Sequence, residues 1–395
     1  MGVYIIEGAR TAFGTYGGAL KDIPDVELGV IATKGALEKS GVPAEDIDEI
    51  IFGNVIHTSD NSAYLARHIG LKSGLRESSG AITLNRLCGS GLQSIVTAAQ
   101  NILLGEGNVY VSGGVENMSL APHILKGTRF GSPNKPPVIE DMLWGALTDK
   151  YIGCGMGMTA ENLAEKYQIS REEQDEFALL SQQRAGEARK NGRFAQEIVP
   201  VVTKGKRGKE IVVDQDEHIR EGVSLEQLAK LKTAFKQDGT VTAGNASGIN
   251  DGAAAVVVAS EQYVRENNLK PLARIVSWGI AGVDPKIMGI GPVEASQKAL
   301  AKANLTLTDM DLIEINEAFA AQTLACVKEL GIDKEKLNVN GGAIALGHPL
   351  GASGTRVTYS LAVELKNKNL KYGLATLCIG GGQGIAAVIE NVSSN

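Results

Sequence analysis

Two stretches of this chain read alike at a fixed separation. Residues 36–51 (ALEKSGVPAEDIDEII) and 299–314 (ALAKANLTLTDMDLIE) align without a gap at an offset of 263. Ala36, Leu37, Lys39, Asp46, Asp48 and Ile50 recur as Ala299, Leu300, Lys302, Asp309, Asp311 and Ile313. The same offset carries Ser90-Gly91 onto Ser353-Gly354. Self-similarity at one spacing marks a duplicated unit, so the chain is expected to fold as two related halves. Within each half, apolar runs of strand length (109–111, 311–315, 374–378) alternate with amphipathic helices. Leu92, Ile95, Val96, Ala99, Ile102 and Leu103 follow the helical i, i+3, i+4, i+7 rule over 89–104. This alternation predicts an α/β protein with helices layered against sheets.

The middle differs. Residues 119–249 carry most of the charge clusters, and Ser170-Arg171-Glu172-Glu173 is a capping box opening a polar helix towards Arg193. Residues 198–202 and 210–213 flank the basic turn Lys204 to Lys209 and read as a hairpin. This segment is expected to be an insertion. The organisation expected is a first half of 1–118 plus 250–270, an inserted domain of 119–249 and a second half of 271–395.

Composition removes several function classes. No run reaches the roughly 18 apolar residues of a membrane span. A net charge of −6 disfavours nucleic acid as a partner. The four cysteines, at 88, 154, 326 and 378, have neither metal-ligand spacing nor the density of a disulfide scaffold, so no metal is expected. Met1 to Ile6 has no basic run before its apolar residues, and Ser393-Ser394-Asn395 is no peroxisomal or retention tail; a cytoplasmic location is expected. The 48 glycines have no collagen period and no matching proline excess, which leaves tight backbone approaches as their reading.

Some of those glycines surround reactive side chains. Cys88, in Arg86-Leu87-Cys88-Gly89-Ser90-Gly91, stands just before the amphipathic helix. The unpaired N–H groups there favour thiolate over thiol, although free cysteines commonly pack inertly in cores. His348, in Gly347-His348-Pro349, has small neighbours that leave its imidazole accessible to take a proton; a satisfied core histidine is the other reading. Cys378 ends an apolar run before Ile379-Gly380-Gly381-Gly382, a backbone nest suited to an oxyanion or a phosphate. Asn316 ends another run, where it caps the next helix or orients a water.

Taken in order, these segments resemble the thiolase family from end to end. The resemblance rests on the Cys88 segment, Gly113 to Ser119 (GGVENMS), 245–253 (NASGINDGA), Asn316-Glu317-Ala318-Phe319, 340–349 (NGGAIALGHP) and the Cys378 segment. It is most similar to the biosynthetic branch, through 283–289 (VDPKIMG) and Cys378 to Gly382. The resemblance implies a layered αβαβα fold with an inserted loop domain that binds coenzyme A, and acetyl-CoA C-acetyltransferase activity. Acetoacetyl-CoA would be cleaved by CoA, and two acetyl-CoA condensed, through an acetyl-cysteine. It implies Cys88 as nucleophile, His348 as its base and Cys378 as the second base. Asn316 would hold a water, and the N–H groups of Cys88 and Gly380 would form an oxyanion hole. Ser247 is implied as a pantetheine contact and Arg220 as a contact to the nucleotide end; Met156, Met288, Ala318 and Phe319 are implied near the acyl group. No cofactor is implied beyond CoA as substrate and product, and a homodimer or homotetramer is expected.

Departures accompany the match. Gly155 stands where relatives often carry His before Thr159-Ala160-Glu161-Asn162, and 60–67 (DNSAYLAR) replaces a run usual near the active site. A broader 3-ketoacyl-CoA thiolase of fatty-acid degradation is therefore the alternative. A dinucleotide-dependent oxidoreductase is the rival from another class, but no acidic ribose-binding residue follows the glycine turns.

Overall fold

The opening strand, Val3–Arg10, lies near the middle of a ten-stranded sheet, not at its edge. The computed structural model describes residues 2–131, 135–205 and 208–392. Lys206 and Arg207 of the basic turn lie outside the described residues.

From Val3–Arg10 outward, the first half runs through Asn250–Ser260, Val109–Asn117, Glu49–Gly53 and Gly80–Leu84. From Ala273–Gly282 outward, the second runs through Gln383–Asn391, Tyr372–Ile379 and Leu312–Ile315. The first three pairings in each half are antiparallel, antiparallel and parallel. The halves join at Tyr4 against Arg274 and Ile5 against Ala273. This repeated order is the duplication expected from the 263-residue offset.

The repeated segment itself has one structure in both halves. It contains the end of a helix (Asp25–Ser40; Gly291–Ala303) and a left-handed cap at Gly41 or Asn304. A short 3-10 turn and a strand entry follow. Asp48 accepts from the backbone N–H of Val109 at 3.0 Å, and Asp311 accepts from that of Tyr372 at 3.0 Å. The recurring aspartate thus ties each strand entry to its neighbour.

Burial on both faces explains the near-continuous apolar strands. Ala255 and Val257 face one core with Leu28, Ala32 and Ala36 of the first helix. Val256 and Val258 face another, shared with Leu92 and Ile95 of Ser90–Leu104 and Val357 and Leu361 of Leu350–Asn367. Across those two helices lie Leu377, Ile385 and Ala387 of the second half, whose alternate residues Ala386 and Val388 pack on Val293 and Ala299. The layers are therefore helix, sheet, helix, sheet, helix. Each buried Leu or Ile in them is worth about 1.5–3 kcal/mol.

Between Asn117 and Asn250 the chain leaves the sheet. The Ser170–Glu173 capping box opens the helix Arg171–Lys190, and Val201–Lys204 pairs with Glu210–Val213. Buried ion pairs hold this excursion in place: Arg10 with Glu197 and Asp216, and Arg193 with Glu364. One expected strand was too short. Val109–Asn117 carries Gly113 and Gly114 inside it, where a Cβ would come 2.5 Å from the Phe52 ring and 1.9 Å from the Gly351 carbonyl. No helix among the described residues is long and apolar enough to cross a membrane.

Candidate active site

Ser90–Leu104 and Leu350–Asn367 cross in the central layer near their N-terminal ends. The crossing needs glycine. A Cβ on Gly91 would lie 2.5 Å from the Thr355 nitrogen, and one on Gly354 would lie 2.2 Å from the Leu92 nitrogen. The Thr355 hydroxyl donates to the Gly91 carbonyl at 3.0 Å. Because both helices start at this contact, Cys88 from one half and His348 from the other reach one place.

Cys88 follows Leu87, whose φ of +47° is left-handed, a conformation that costs a non-glycine residue of order 1–3 kcal/mol. The turn is held by the Leu87 N–H donating to Asn85 Oδ1 at 2.8 Å and the Ser90 hydroxyl donating to the Leu87 carbonyl at 2.7 Å. The backbone N–H groups of Gly380 and of Cys88 both engage the Cys88 thiol. Gly380 sits in the tight turn joining Tyr372–Ile379 to Gln383–Asn391, where Gly381 and Gly382 take φ of +81° and +85°.

The thiol is nevertheless not a resting thiolate. Burial pushes Cys88 up to about 11, against the two N–H groups, which act the other way. The expected lowering fails because the helix begins only at Ser90 and desolvation outweighs its field. Nor is His348 freely accessible: it is 4% exposed, and burial, with the Arg356 charge, moves it down to about 3. Both groups are neutral at pH 7. Alkylation of Cys88 by iodoacetamide is therefore expected to climb with pH past 9, the ordinary thiol value, and level off only towards 11. A plateau reached below pH 8 would show a resting thiolate–imidazolium pair instead.

Asn316 follows the strand Leu312–Ile315, and its Nδ2 lies 3.3 Å from His348 Nε2 and 3.4 Å from Nδ1. It is not a helix cap, since the next helix, Ala320–Leu330, is capped at Phe319. Its Oδ1 is buried with no protein partner. Cys378 is fully buried beneath the cavity wall, among Met288, Ala318 and Phe319. Burial first, then the nearby Cys88 and Cys326, raise its thiol well above the usual range.

A cavity of about 370 Å³ opens over these groups, lined by Cys88, His348, Gly380, Ser247, Met156, Met288, Ala318 and Phe319. Asn316 and Cys378 stand one layer behind it. Arg220 lines a separate surface cleft with Lys190 and Glu187, and its backbone N–H donates to Gln182 Oε1 of the helix Arg171–Lys190 at 2.8 Å. Between Arg220 and Ser247 lies His218, which packs under Gly248; burial and then Arg220 move its pKa down to about 4.

Other walls carried no sequence signal. Trp144, Leu147 and Phe235 come from the inserted segment. Phe235 lies flat on Gly157, whose Cβ would fall 2.3 Å from the ring, and meets Phe319 edge-on at 6.1 Å. Glu116 was legible only as part of a motif. Its carboxylate accepts from the N–H groups of Val55, Ile56 and Gly351, which anchors the segment after His348, and burial followed by Asp25 raises it to about 8. No group of three His, Cys, Asp or Glu among the described residues could hold a metal ion.

Two duplicated halves that close over a cysteine, with an inserted segment walling an apolar cavity, define an acyltransferase architecture. The comparisons agree. Residues 3–262 match the family model for the thiolase N-terminal domain and residues 269–391 that for the thiolase C-terminal domain. The chain belongs to the thiolase family. It is 52% identical over 393 residues to the mitochondrial 3-ketoacyl-CoA thiolase of Mus musculus, covering 99% of each chain. It is also 52% identical over 391 residues to an acetyl-CoA acetyltransferase of Chromobacterium violaceum, covering 99% of this chain and 100% of that one. The solved human mitochondrial 3-ketoacyl-CoA thiolase superposes with a TM-score of 0.97 at 51% identity, covering 99% of each chain.

Proposed function

We propose that the protein cleaves 3-ketoacyl-CoA with CoA, and runs the reverse condensation, with acetoacetyl-CoA as substrate. The observation that supports this most is the convergence of Cys88, His348 and the Gly380 N–H on one apolar cavity. In thiolysis the Cys88 sulfur attacks the 3-keto carbon and His348 takes the thiol proton. Since both partners rest neutral, the proton moves as the C–S bond forms. The two N–H groups stabilise the tetrahedral oxyanion, a role worth about 2.7–4 kcal/mol per donor in hydrolases. Collapse breaks the C2–C3 bond. The leaving carbanion of acetyl-CoA then takes a proton from Cys378, which its raised pKa keeps available as the acid. CoA next attacks acyl-Cys88, its thiol proton restoring Cys378 while His348 returns the first proton to Cys88. Asn316 Oδ1 suits a bound water beside His348. Ser247, Met156, Met288, Ala318 and Phe319 would hold the pantetheine and acyl groups.

A broader chain-length range is the second reading, and Gly155 favours it. It lines the cavity, and a Cβ there would meet nothing nearer than the Leu147 carbonyl at 3.5 Å, so the wall is open at a point where a side chain would fit. Thiolysis of C4 and C10 3-ketoacyl-CoA in parallel separates the two. A kcat/KM at least about tenfold higher on C4, a difference of about 1.4 kcal/mol, is the expected result for an acetoacetyl-CoA enzyme, and equal values would establish the broad one. The outer edge of Gly80–Leu84 has no strand partner among the described residues and exposes Ile82, which supports a homo-oligomer closing that edge.

A further inference from the structure

His348 has a close neighbour that the reaction scheme does not use. Its Nδ1 lies 2.5 Å from the hydroxyl oxygen of Ser353, which in turn lies 2.8 Å from the Pro349 carbonyl oxygen. Ser353 is fully buried in the first turns of Leu350–Asn367, four residues after Pro349. A hydroxyl has one hydrogen, and a carbonyl can only accept. If that hydrogen went to Nδ1, two oxygens would face each other at 2.8 Å with nothing between them in a buried site. Placed on the Pro349 carbonyl, it makes the ordinary serine bond back to the preceding turn. The Nδ1 contact must then be an N–H donating to Ser353 Oγ. Asn316 Nδ2 lies near both ring nitrogens, at 3.4 Å from Nδ1 and 3.3 Å from Nε2, so the Ser353 contact is the one that sets the tautomer.

We propose that Ser353 is a positioning residue that holds neutral His348 as the Nδ1–H tautomer, so that Nε2 carries the one lone pair able to take the Cys88 proton. The duplication supplies a counterpart. Ser90, at the matching place in the first half, accepts from the Arg86 N–H at 2.8 Å and donates to the Leu87 carbonyl at 2.7 Å, fixing the turn that bears Cys88. One serine thus sets each reacting group.

The proposal rests on His348 being the base, and its test does not require turnover. Protein labelled with 15N-histidine has five imidazoles, and long-range 1H–15N correlation reports which nitrogen of each is protonated. His348 is assigned by the signal lost in His348→Gln. At pH 7 the wild type is expected to show Nδ1–H, and Ser353→Ala to show Nε2–H or a mixture. A wild-type Nε2–H, or a tautomer that Ser353→Ala leaves unchanged, would overturn the proposal. In kinetics, Ser353→Ala is expected to lower kcat about a hundredfold, the low end of what a positioned base contributes, with KM within about twofold. Ser353→Thr, which keeps the hydroxyl, should recover most of it; recovery equally good with Ser353→Val would assign the loss to packing alone. The wild-type spectrum decides even where a variant folds poorly. Full activity in His348→Ala would sink the base reading and leave the tautomer result standing.

Discussion

Cys88→Ala is expected to lower kcat for acetoacetyl-CoA thiolysis by about ten-thousandfold or more, the scale seen when a covalent nucleophile is removed. No other thiol takes over. Cys378 is fully buried and its strongly raised pKa keeps it a thiol, Cys326 is buried with its thiol directed at the Gly289 carbonyl, and Cys154 is not among the residues lining the cavity. The fold should hardly notice. The thiol hangs from a turn fixed by Ser90 and Asn85, and neither bond involves the sulfur. Unfolding free energy should stay within about 1 kcal/mol, and the affinity for CoA should persist. Mass spectrometry after mixing with acetyl-CoA gives a second readout: wild type gains one acetyl group on the Cys88 peptide and the variant gains none. Thiolysis above a tenth of the wild-type rate in the variant would remove Cys88 from the chemistry.

Gly354→Ala should be the most damaging change that touches no reacting atom. The new methyl would sit 2.2 Å from the Leu92 nitrogen and 3.0 Å from the Gly91 carbonyl carbon. These are backbone atoms of a helix and cannot rotate aside. The two central helices must move apart, straining the bond from Thr355 to Gly91 and opening the core between the sheets. Overpacking of this kind costs about 1–3 kcal/mol or more. Because the crossing also sets the distance from Cys88 to His348, a separation near 1 Å should cost about a hundredfold in kcat. Urea midpoint and kcat should therefore fall together. Gly186→Ala is the control: it lies in Arg171–Lys190 with open space around it, and should stabilise by about 0.4–1 kcal/mol. A Gly354→Ala enzyme with wild-type midpoint and rate would refute the crossing as the source of the site geometry.

That crossing was already legible as the Ser90-Gly91 match to Ser353-Gly354, although nothing local says what a serine–glycine pair is for. Its meaning is a contact between residues 263 apart. The other repeated positions translated more directly, since Asp48 and Asp311 act on strands next to them. Cys88 and His348 stood out as rare side chains among glycines, but their protonation did not. A helix start is visible from the order of residues, whereas the burial that raises Cys88 comes from Ile56, Met118, Leu143 and Leu350, brought in from distant segments. Phe235 and Trp144 escaped for the same reason.

The two halves also differ in a way that matters more than their likeness. Each presents the start of a helix to the same point, so a pair of identical halves would put the same side chain at both. Joined in one polypeptide, they need not match: one start carries a thiol and the other an imidazole. In the proposed reaction, the division between donor and acceptor of the proton follows from that freedom. A symmetric pair of separate copies would have to build both groups twice or do without one.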